Sequence, residues 1–111
     1  MTNQNENSSQ WIPQPLDLSG IELTPQLDHL SELLAKNIHD MWAQERIRNG
    51  WSYGAFRCDE FKQTPCLVPY EALPEDERLY DQIIARQTLQ MILSFGFEIT
   101  PSDPNSHRPT D

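Results

Sequence analysis

Cations are scarce in this chain: eight Lys and Arg stand against seventeen Asp and Glu in 111 residues, a formal charge of −9. A chain of that sign does not bind a phosphate backbone as a whole, so DNA and RNA are not expected partners; only a local basic patch stays open. Cysteine is scarce too. Cys58 and Cys66 are too few for a disulfide scaffold or a Cys-rich zinc site. No apolar run approaches the ~18 residues of a membrane span, so no membrane partner is expected. The opening MTNQNENSSQ lacks the basic and apolar regions of a secretion signal, and a cytoplasmic location is the default. The glycine motifs of P-loops and dinucleotide folds are absent, as is a nucleophile elbow. His29, His39 and His107 form no metal spacing with the cysteines. The expectation is a protein that is not an enzyme and needs no metal or cofactor.

Hydrophobic residues make up 37%, which is low enough that part of the chain carries no core. Residues 1–10 and 100–111 hold almost no side chain worth burying, and they read as disordered tails around one fold at 11–99. Within it, Thr24-Pro25 opens a helix and Asn49-Gly50 ends it, predicting a helix over 25–48. Leu27, Leu30, Leu34, Ile38 and Met41 fall on one stripe of it. Pro74 and the acids Glu75, Asp76 and Glu77 open a second helix over 74–95, with the acids at the positive end of its dipole. Its stripe is Tyr80, Ile84, Met91 and Phe95, and Gly96 closes it. Leu89 and Leu93 lie away from that stripe. Ile21-Leu23 and Phe97-Ile99 suit short strands. The fold class expected is mainly α: an antiparallel pair of long helices with a long ordered loop and short peripheral β-strands, sharing Leu30, Leu34, Ile38, Tyr80, Ile84 and Met91 as core.

His39, Trp42 and Arg46 share a second side of the first helix, nearly opposite Leu30 and Met41. Two readings are open: the loop folds over this side, or it forms a ligand or partner surface. Residues 46–62 carry Arg46, Arg48, Arg57 and Lys62 against Asp59 and Glu60, so the window is +2 and the remainder −11. Trp51, Tyr53, Phe56 and Phe61 are interleaved with these cations. Arginine forks onto phosphate oxygens and aromatic rings stack on bases, a combination that suits a nucleotide. Equally, Arg46 and Arg57 pair internally with Glu77 or Asp81.

Four segments follow in order: LAKNIHDMWAQERI at 34–47, GWSYG at 50–54, RCDEFK at 57–62 and PCLVPY at 65–70. With WIPQPLD at 11–17 and TLQMILSFGF at 88–97, the chain resembles the RyR domain, the repeat domain of ryanodine receptors that also occurs in bacterial and phage proteins. Cys58 stands where that pattern usually has an acid or amide. The resemblance implies a helical domain with paired helices, short strands and a long loop. It implies a regulatory or interaction module, used in tandem in the animal channels. In prokaryotes it implies a sensor of nucleotide-derived ligands. The phosphorylation loop of one channel pair is not reproduced here, and neither pore nor calcium chemistry is in this chain.

The expected site is His39, Trp42, Arg46, Trp51, Tyr53, Arg57 and Lys62. In it Trp42 stacks a base, Arg46 holds a phosphate, Arg57 or Lys62 adds charge, Trp51 and Tyr53 form the far wall, and His39 braces Trp42. The expected partners are a nucleotide-derived small molecule and a second copy in a homodimer. The alternative is a protein-interaction module with no small-molecule ligand.

Overall fold

The structure is a computed structural model that describes residues 10–102, so the expected tails fall largely outside the described residues, as does His107. Helix α1 runs Pro25–Arg48, with the Thr24 hydroxyl accepting from the Leu27 N–H as N-cap. Strands β1 (Ser52–Tyr53) and β2 (Gln63–Thr64) pair in parallel, Ser52 opposite Gln63. The intervening chain loops back so that Cys58 bonds the other side of Gln63. A 3-10 turn at Tyr70–Ala72 leads into helix α2, Glu75–Ser94.

The helices close as their sequence signals predict. Gly50 and Gly96 both have φ 93°, a left-handed conformation that glycine adopts without Cβ strain. In α1 this lets the Gly50 N–H reach the Ile47 carbonyl and the Trp51 N–H reach Arg46; Gly96 and Phe97 do the same to Leu93 and Ile92 in α2. The expected strands at 21–23 and 97–99 do not form. Phe97 is held in the α2 cap instead, and the Ile21 carbonyl accepts from Gln90 Nε2 at 2.8 Å rather than from a neighbouring strand.

The core face differs from the apolar stripes. On α1, Leu27, Ser31, Ala35 and His39 are buried at intervals of four. Trp42 and Arg46 continue that row, half-buried, while Leu30, Leu34 and Ile38 flank it and Met41 is exposed. The face is turned about a quarter turn from the Leu stripe. The side bearing His39 and Trp42 is thus the core side, not a second face opposite it. On α2 the displacement is larger: Ala85 and Leu89 are buried, whereas Tyr80, Ile84, Met91 and Phe95 are exposed. Small residues explain the outcome. Ser31, Ala35 and Ala85 let the two backbones approach, and none of them carries a strong hydrophobic signal. Near the start of α1, Asp28 pairs with Arg86 in the second half of α2; Lys36 reaches Glu71 at 2.9 Å just before α2 begins. Leu18 and Leu73 complete the buried apolar set from the flanking segments.

Candidate functional site

His39 is the most buried titratable side chain of α1, 4% exposed. Its Nε2 lies 2.7 Å from the Val68 carbonyl. A carbonyl only accepts, so Nε2 carries a hydrogen and donates it; in the neutral imidazole Nδ1 is left as an acceptor. The ring stacks on Trp42, centroids 5.5 Å apart and planes 24° from parallel, with Tyr70 tilted at 6.2 Å. Three and four residues are one turn of helix, so Trp42 in turn meets Arg46.

Arg46 lies near two indoles. Its guanidinium carbon is 5.7 Å from the Trp42 centroid and 5.0 Å from that of Trp51. The helix cap produces this: Trp51 is tied by its N–H to the Arg46 carbonyl, which brings the two side chains together at the end of α1. Arg57 covers Trp51 from the loop at 5.5 Å. The result is a continuous ladder, His39–Trp42–Arg46–Trp51–Arg57, in which the π faces attract the cations. Arg57 also pairs with Asp59, Nε to Oδ1 2.8 Å, which holds its charge firmly in place. Neither arginine forms the ion pair with Glu77 or Asp81 that the internal-pairing reading expects.

Next to the ladder is a cavity of about 390 Å³. α1 contributes His39 and Trp42, the loop contributes Arg57, Thr64 and Cys66, and α2 contributes Glu77, Tyr80 and Asp81. Of the seven residues expected at a site, His39, Trp42 and Arg57 line this cavity. Arg46 and Trp51 stand behind it in the ladder. Tyr53 lies on β1, exposed and apart from the cavity, and the Lys62 amine donates to the Asn49 carbonyl at 3.0 Å, capping α1.

The α2 wall was not foreseen. The sequence places Tyr80 in the apolar stripe and Glu77 at the helix dipole, and otherwise offers Glu77 and Asp81 only as ion-pair partners of the arginines. The available signal was Asp81, an acid four residues before the buried Ala85 and hence near the packed face of the helix. Burial pushes the Asp81 carboxyl up from its ordinary value, and the His39 charge pulls it back. Burial and the Glu77 charge push the Cys66 thiol up, so it is no poised nucleophile. Cys58 and Cys66 are both free, half-buried packing residues. Among the described residues, no group of His, Cys, Asp and Glu is placed to hold a metal ion. No helix among them is long and apolar enough to cross a membrane.

Residues 11–101 match the family model of the RyR domain.

Proposed function

Since the chain belongs to the RyR domain family, we propose that it is a non-enzymatic sensor module whose cavity takes a nucleotide-type phosphorylated ligand. The observation that carries this reading is one cavity lined by Trp42, Tyr80 and Arg57, two rings to stack a base and one cation for a phosphate. Arg57 is the better phosphate partner than Arg46, because Arg57 lines the cavity whereas Arg46 stands behind it against two indoles. Arg46 acts by fixing Trp42. The order of contacts supports an antiparallel helix pair: Asp28 meets Arg86, while His39 and Trp42, further along α1, share the cavity with the earlier residues Glu77 and Tyr80. The connection between the helices is then the ordered wall of the cavity. Two free thiols suit a reducing cytoplasm. With a charge of −9, neither a nucleic-acid polymer nor an anionic membrane is a favoured partner.

A thermal-shift series against mono- and dinucleotides tests the proposal, since a ligand that binds the folded chain raises its melting temperature. Base stacking is worth roughly 1–3 kcal/mol, so Trp42→Ala is expected to weaken binding by about ten- to a hundredfold while the helical signal stays intact. Unchanged nucleotide affinity in folded Trp42→Ala rejects this site.

The second reading is a protein-interaction module. It is favoured by the outer face of α2, where Tyr80, Ile84, Met91 and Phe95 are exposed in a row. A homodimer across that row would appear as a concentration-dependent mass in light scattering, with no response to nucleotides.

A further inference from the structure

The cavity holds more acid than a plain phosphate site needs. Asp81 and Glu77 line the α2 wall, facing a cavity that Arg57 also lines. Asp81 is half-buried, and among the described residues no side chain or backbone group donates to its carboxylate. A half-buried carboxylate with no protein donor keeps its acceptor oxygens open to the cavity. His39, 4% exposed on the α1 side of the cavity, has Nε2 fixed on Val68 and one ring nitrogen left over. The aromatic pair Trp42 and Tyr80 sets aside space for a flat ring beside these groups.

We infer that Asp81 is the specificity-determining residue of the cavity, accepting two adjacent hydrogen-bond donors from the ligand while Arg57 takes its anionic end. This deepens the proposed nucleotide reading and rests on it. A carboxylate has two oxygens side by side and accepts a matched donor pair with good geometry, as it does from arginine. In nucleotides two groups present such a pair: the N1–H and N2–H edge of guanine, and the cis-diol of ribose. Adenine, cytosine and uracil edges offer no second adjacent donor. A site built to pair a donor also rejects the analogue that lacks it, because the acceptor is then left buried and unmatched.

The sign of the effect separates this contact from bulk electrostatics. Removing a negative charge favours any anion in the cavity, so charge alone makes Asp81→Asn bind nucleotides more tightly. The donor-pair contact makes it bind more weakly, because the amide keeps only one of the two acceptor oxygens and so cannot take both donors. Calorimetric titration of the full chain with GMP, IMP and 2′-deoxy-GMP reads both arms. IMP lacks the guanine amine, and 2′-deoxy-GMP lacks one diol hydroxyl. The expected result is that wild type loses tenfold or more in affinity for one of these two relative to GMP, which identifies the group read. Asp81→Asn is expected to bind GMP at least tenfold more weakly and to lose that discrimination. Equal binding of all three by wild type, or unchanged or tighter GMP binding by Asp81→Asn, overturns the inference and leaves the nucleotide reading standing. Failure of wild type to bind any of them overturns the inference, and a thermal-shift series silent to every mono- and dinucleotide overturns the nucleotide reading as well.

Discussion

At the scale of single residues, Asp81 sets the stability of the fold against its proposed role in recognition. Its surroundings are His39 from α1, Arg57 and Cys66 from the loop, and Glu77 from its own helix. Burial raises its pKa above the ordinary 3.8, with His39 opposing. An acid whose pKa is raised by folding stabilises the fold when protonated, below its unfolded pKa. That stability is lost as pH rises through the folded value. Near neutral pH the ionised Asp81 therefore weakens the fold. Asp81→Asn is expected to melt above wild type at pH 7 without ligand, with the gap narrowing as pH is lowered towards about 4. Scanning calorimetry across that range checks it; a variant that melts below wild type at pH 7 would mean that an unseen donor holds the carboxylate. His39 is the other decisive residue. Its bond to Val68 ties α1 to the chain that leads into α2, and its ring supports Trp42.

At the scale of elements, the two helices show where apolar pattern misleads. α2 presents its larger side chains outward and packs through Ala85 and Leu89. Truncating Leu89, 5% exposed, to alanine is expected to cost about 2–5 kcal/mol in urea unfolding, whereas Met91→Ala is expected to cost no more than about 1 kcal/mol. Equal losses at the two positions would restore the apolar stripe as the core. The helix limits were legible because capping is local: Thr24, Pro25, Gly50 and Gly96 act through their own backbone geometry. The packed faces were not, because Ser31, Ala35 and Ala85 are selected by how close the partner helix comes, which no local window contains. The two-residue strands were hidden for the same reason, since β1 and β2 exist only through pairing across the loop. Of the site, the half built by the 34–57 sequence was legible: His39, Trp42, Arg46, Trp51 and Arg57 carry aromatic and basic signals close together. The α2 half was obscured because Tyr80 fits an apolar stripe, Glu77 fits a helix start and Asp81 fits an internal ion pair with an arginine.

At the scale of the whole molecule, charge and cavity are set against each other. The chain carries −9, yet the ladder concentrates Arg46 and Arg57 beside one of its cavities. The indoles lie against both cations, and Asp59 also pairs with Arg57. On the proposed reading, the opposing carboxylates favour a ligand with donors at one end and negative charge at the other. The exposed row on α2 begins at Tyr80, which is also a wall of the cavity, so a partner seated there would meet the ligand site directly.

The central claim is that the nucleotide sits against Trp42, and the three tryptophans provide the direct measurement. Trp11, Trp42 and Trp51 each give one indole N–H resonance in a nitrogen-labelled sample. Titration with GMP is expected to shift Trp42 strongly and Trp51 through the Arg46 contact, leaving Trp11 in place. No shift at Trp42, or shifts confined to Trp11, would contradict the account.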